Sequence, residues 1–149
     1  MIRSFFLSAI MMVIIISCDN TKKASSDAAG QTTELKETYW KLTELRGVPV
    51  PAPKEGEKEV YFRLRNEGSR VEGNGGCNGF GGTYELSAGN RIKFSKMIST
   101  MMYCSLMETE NALYKVFEAA DNYTVSGDVL QLNKARMAPL AKFVAVKDK

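Results

Sequence analysis

The chain contains no histidine, and among its 149 residues there are only three cysteines, four prolines and one tryptophan. Without imidazole the protein lacks the usual general base near neutral pH and the commonest metal ligand. A cysteine nucleophile needs a neighbouring base to hold it as thiolate, so thiol chemistry is left without its ordinary partner. An excess of one charge is missing too: 20 basic and 17 acidic side chains give a formal net charge of +3. Bases and acids are interspersed, which gives nucleic-acid binding no support. Long apolar runs are almost absent. Phe5 to Ile16 is mostly apolar, too short to span a hydrocarbon layer of about 30 Å but suited to the core of a secretory signal.

What is present begins beside that run. Arg3 supplies the positive charge ahead of it, and Ile15-Ile16-Ser17-Cys18 closes it in a pattern that resembles the bacterial lipobox. That resemblance implies removal of residues 1–17 as a lipoprotein signal peptide and lipidation of Cys18. An ordinary signal with a chance cysteine is the alternative. Two acyl chains suffice for stable anchoring, so a membrane held through Cys18 is an expected partner. The expected location is the bacterial cell envelope, on the outer membrane facing the periplasm. Asp19, an inner-membrane signal in some bacteria, keeps the choice of membrane open.

Residues 18–37 hold one strong hydrophobe, Leu35, and read as the lipidated cysteine and a flexible tether. Residues 38–149 are long enough for one domain with its own core. Within them Tyr39-Trp40-Lys41-Leu42-Thr43 alternates as a half-buried strand does. Residues 47–59 carry three of the four prolines and read as an exposed connection. Val60 to Arg65 and Ser69 to Glu72 flank a turn at Asn66-Glu67-Gly68. Thr83 to Leu86 and Arg91 to Phe94 flank Ser87-Ala88-Gly89-Asn90 as a hairpin. Ser105 and Glu108 match a capping box, and Leu113, Val116, Phe117 and Ala120 follow at helical spacing. Tyr123 to Ser126, a Gly127-Asp128 turn and Val129 to Leu132 form a second hairpin, and Leu140 to Val146 reads as a final strand. The tight turns predict antiparallel pairing, because parallel strands need long crossovers. The expected fold is therefore mainly β (α+β). It would be an antiparallel curved sheet or partly open barrel of about seven or eight short strands with one helix packed on it.

The densest signal is Gly73 to Gly82, GNGGCNGFGG. A Walker loop would need a lysine after its last glycine, and Phe80 and Gly81 stand there instead. A dinucleotide fingerprint starting at Gly73 and Gly75 would need glycine where Asn78 stands. With Cys18 lipidated, Cys77 and Cys104 remain in a compartment where disulfides form. A bridge between them is expected, with two reduced buried thiols as the alternative. The glycines would then provide positive φ and close approach, and Asn78 suits a left-handed or side-chain-bonded turn position.

The same residues carry a family resemblance. Trp40-Lys41-Leu42, Gly76-Cys77-Asn78-Gly79-Phe80-Gly81-Gly82-Thr83-Tyr84, and Ser99-Thr100-Met101-Met102-Tyr103-Cys104 together resemble the META domain, a family that includes HslJ-type heat-shock lipoproteins. The resemblance covers roughly residues 37–147. It implies a small β-rich module of the bacterial envelope, linked to stress and antibiotic tolerance, with no established catalytic mechanism. Gly76, Asn78, Gly79, Gly82, Tyr84 and Thr100 are the turn-forming or binding positions it points to. The chain departs from the family in its proline-rich insertion at 48–53 and in Tyr103 directly before Cys104.

Two other groupings invite chemistry. Met97, Met101, Met102 and Met107 stand close together beside Cys104. Thioethers bind Cu(I), but methionine is also the usual filler of irregular core space. Core packing is the reading adopted, and no metal ligand or cofactor is assigned. The acids of Glu55-Gly56-Glu57-Lys58-Glu59 and Glu108-Thr109-Glu110 are read as solvated rather than as a catalytic pair. The function expected is a non-enzymatic binding or envelope-stress module whose partner is another envelope protein or a small apolar ligand. The alternatives are a protease-inhibitor-like module using the 47–59 loop and a thiol-dependent enzyme. No oligomeric state is assigned.

Overall fold

Period-two alternation produces the strands. In β1, Tyr39–Leu45, Trp40 and Leu42 turn inward, and β3, Tyr61–Leu64, buries Phe62 and Leu64 while Tyr61 and Arg63 stay half-exposed. Such strands bury one face only, so the sheet must curl around its apolar side. The computed structural model describes residues 32–147; the expected signal segment and Cys18 lie outside them.

The remaining strands are β2 (Val48–Pro49), β4 (Arg70–Asn74), β5 (Gly79–Ser87), β6 (Arg91–Ser99), β7 (Asn122–Ser126), β8 (Val129–Asn133) and β9 (Ala141–Val146). All pair antiparallel in one nine-stranded sheet, and β9 returns to pair with β1. β2 adds a two-residue flap to β1 inside the proline-rich connection. The ring is not an even barrel. β6 and β7 share a single residue pair, Arg91 opposite Asn122, and the one α-helix among the described residues lies between them in sequence. That helix, α1 (Met107–Ala119), turns Leu113, Val116 and Phe117 inward. Phe117 meets Phe62, Phe80 and Phe94, and Phe143 meets Phe62 edge to face. Trp40, Phe62, Phe117 and Phe143 are almost fully buried, as the hydrophobic effect requires of side chains this large.

Because the strands simply run up and down, the connections sort into two sets. The strand ends before β1 and after β9 share one end of the barrel with three short turns: β3 to β4, β5 to β6, and β7 to β8. The opposite end carries the three long connections, residues 46–60, 100–121 with its helix, and 134–140, together with the tight 75–78 turn.

Residues 33–37, read from sequence as tether, lie against the short-turn end. The Thr33 amide donates to the Gly127 carbonyl at 3.0 Å, and its hydroxyl donates to Asp128. Glu37 accepts from the Asn66 amide at 2.6 Å and from the Arg65 guanidinium at 2.8 Å. Leu35 packs on the core, and its carbonyl accepts from the Trp40 indole at 2.8 Å. Leu35 and these hydrogen bonds together hold the short segment on the barrel.

The predicted capping box does not form. The helix starts after Leu106 with no side-chain cap, Ser105 donates its hydroxyl to Glu57 at 2.9 Å, and Glu108 is exposed. Cys104 sets the helix start instead: its carbonyl accepts from the Met107 amide at 3.3 Å, and its sulfur lies 3.3 Å from the Leu106 amide.

Candidate binding surface

The site begins with the turn between β4 and β5. Gly76 holds φ at 112°, a conformation that side chains rarely adopt. A Cβ on Gly75 would lie 2.6 Å from the Glu110 carboxyl, so only glycine lets that acid approach. The Gly75 amide donates to the Asn78 carbonyl at 2.8 Å, and the Gly76 amide to Asn74 Oδ1 at 2.8 Å. This geometry turns the amides of Cys77 and Asn78 the same way, toward α1.

Glu110 meets them there. Its Oε2 accepts from the Asn78 amide at 2.7 Å and from the Cys77 amide at 3.1 Å, and its Oε1 accepts from Asn78 Nδ2 at 2.7 Å. Reading this acid as solvated is therefore wrong: it is 2 % exposed. A buried carboxylate is tolerable only where charge-assisted donors surround it, and this turn supplies three.

Asn78 is the hub. Its Oδ1 accepts from the Thr100 hydroxyl at 2.8 Å and the Met102 amide at 2.7 Å, while Nδ2 also donates to the Met102 carbonyl at 2.9 Å. The Thr100 amide donates to the Gly79 carbonyl at 3.2 Å. Cys77 and Cys104 are joined by a disulfide, with their Cα atoms 5.5 Å apart. While that bond is intact neither sulfur is available as a thiolate nucleophile. Gly76, Cys77, Asn78, Gly79, Thr100 and Cys104 thus converge. Gly82 and Tyr84 do not: Gly82 packs against Met97 farther along β5, and the Tyr84 hydroxyl donates to the Arg65 carbonyl at 2.9 Å toward the other end.

The clasped segment presents apolar side chains to water. Met101 is 98 % exposed, Tyr103 89 %, Ile98 74 % and Met102 60 %. The core role read for the methionines holds only in part, since Met97 packs on the core while Met101 and Met102 stand outside it. These side chains extend from where the chain is pinned, so they have no inward path. A groove of about 440 Å3 lies along the tip, lined among others by Met101, Met102, Met107 and Tyr114. The Tyr114 hydroxyl is buried near Ser99 and Glu110 without reaching hydrogen-bond geometry to either, and burial raises its pKa. Nearby, the proline-rich connection folds over a cavity of about 190 Å3 lined by Leu42, Val50, Pro51 and Leu106. Glu57 braces it by accepting from the Lys54 amide at 2.9 Å; that bond, then the one from Ser105, holds its pKa below the usual carboxylate value.

Sequence reasoning missed Glu110, although a signal existed. Positions 110, 113 and 117 share one helix face, and the last two are Leu113 and Phe117, so an acid there points into the core side.

Among the described residues, an antiparallel ring with one helix, its open end clasped by a disulfide and a buried acid, defines a small α+β module. The META domain family model matches residues 33–147, and the chain belongs to that family. No curated protein matches it. An NMR structure of a protein from Burkholderia xenovorans is similar, with a TM-score of 0.60 and 21 % identity over 76 % of this chain and 85 % of that one. A second NMR structure gives a TM-score of 0.58 and 20 % identity, covering 74 % of this chain and 90 % of its own. At these identities the likeness concerns the fold.

Proposed function

We propose that this protein is a lipid-anchored component of the bacterial envelope whose META domain is a non-enzymatic binding module. In this reading the tip formed by Ile98, Met101, Met102 and Tyr103 grips an apolar segment of another envelope protein. The observation that carries the proposal is where that tip sits. The chain that would lead back to Cys18 joins the barrel at the short-turn end, against Gly127 and Leu64, whereas the tip is formed by the last residues of β6 and the long connection after it, at the opposite end. A domain held by its N-terminus thus has its exposed apolar side chains directed away from the anchor. Clustered large apolar side chains on a surface serve binding more often than stability, and methionine and tyrosine adapt well to a partner. The Cys77–Cys104 bond fits an oxidising compartment.

The test is photocrosslinking in cells, with the crosslinker at position 101 or 103 and, as control, at position 89 in the β5–β6 turn. A defined protein adduct from 101 and 103 but not from 89 supports the reading. Adducts equal at all three positions, or none at the tip, contradict it.

A further inference from the structure

We propose that Met101, Met102 and Met107 form a binding site for a soft monovalent metal ion, Cu(I), in the groove at this tip. Such a site needs no protein partner. Core packing does not account for these side chains, since Met101 is 98 % exposed and Met102 60 %. With Met107 they line one groove of about 440 Å3.

Three features make the groove suited to such an ion. First, the segment is held in place before any ion arrives. Asn78 binds Met102 on both its backbone amide, at 2.7 Å, and its carbonyl, at 2.9 Å. Met107 opens α1 just after the Cys104 bridge. Fixed backbones reduce the ordering cost of gathering three flexible side chains. Second, the donor set is selective. A thioether is soft and carries no proton to lose, so it favours Cu(I) over Zn2+ or Mg2+ at any ordinary pH. The chain has no histidine to recruit harder ions, and both cysteines near the groove are bonded to each other. Third, the two polar groups that hold this segment are already engaged. Asn78 Oδ1 and the Glu110 carboxylate accept hydrogen bonds, and that buried carboxylate places a negative charge beside the site to balance a single positive one. Binding involves no redox step: the ion arrives and leaves as Cu(I).

The experiment titrates the mature, anaerobically purified protein with Cu(I) against bathocuproine disulfonate. Alkylation and intact mass confirm that no free thiol takes part. The comparison is the double variant Met101→Leu, Met102→Leu, whose side chains lie in water, with its melting temperature checked. One equivalent of Cu(I) held by the native protein, and at least tenfold weaker competition by the double variant at unchanged melting temperature, is the expected result. No uptake by the native protein overturns the proposal. So does equal uptake by the double variant, because the ion would then sit elsewhere. Photocrosslinking and copper titration fail independently, so one outcome does not decide the other.

Discussion

The two ends of this barrel are closed by different means. At the short-turn end, tight hairpins and a crossing segment do the work: Leu35 covers the mouth, and Glu37 bonds to Arg65 and Asn66. These groups are largely exposed, and each contact is of the kind that contributes little alone. At the long-connection end, closure rests on a disulfide, a buried carboxylate and an asparagine whose polar atoms are all engaged. Groups of that kind are costly to separate, because each lost partner leaves a buried donor or acceptor unmet. Strong closure accompanies the end that displays apolar side chains, and weak closure the end where residues 33–37 cross. The strongest contacts are thus concentrated beneath the exposed apolar side chains.

The comparison can be broken from its strong side first. Replacing Cys77→Ser and Cys104→Ser together should lower unfolding free energy by about 3.5 kcal/mol, read by urea denaturation under non-reducing conditions. Glu110→Ala should cost about 3 kcal/mol, because the Cys77 and Asn78 amides and the Asn78 side chain lose a charged acceptor at once. A loss below about 1 kcal/mol would mean that water replaces the carboxylate easily. At the other end, Leu35→Ala should cost about 1–2 kcal/mol, since the side chain is only half-buried.

Alkali tests both ends together. Burial raises the pKa of Tyr39 and Tyr84 toward the short-turn end and of Tyr114 beneath the tip. A folded pKa above the unfolded value of 10.0 means stability is full below pH 10 and is lost as the pH climbs past it. Thermal melts from pH 8 to 11 should fall accordingly, and Tyr114→Phe should blunt the fall. The smallest effect belongs to Glu37→Ala, below about 1 kcal/mol and reduced further by salt, as an exposed ion pair requires.

Much of this fold was legible in the sequence, and the reason is locality. The hairpins at Ser87–Asn90 and Gly127–Asp128 are written in adjacent residues, and so is the apolar face of α1. The closing pair, β1 with β9, joins Tyr39 to Val146, and no local pattern encodes a contact between chain ends. The capping box failed for a related reason: Ser105 gives its hydroxyl to Glu57, far away in sequence, and Cys104, bridged to Cys77, bonds the first helical amides. The glycine turn was read correctly as a means of bringing Cys77 to its partner. What escaped was the carboxylate it encloses, because Glu110 looks like any acid of a first helical turn until its spacing to Leu113 and Phe117 is weighed.

The central claim is that the Gly75–Asn78 turn and the Thr100–Cys104 segment form one fixed platform. Native-state hydrogen exchange at the amides of Cys77, Asn78 and Met102 tests it most directly. All three donate to buried acceptors and should exchange as slowly as amides inside β1 and β9, far more slowly than those of the Ala88–Asn90 turn. Exchange at the rate of that exposed turn would show a loose loop and contradict the account.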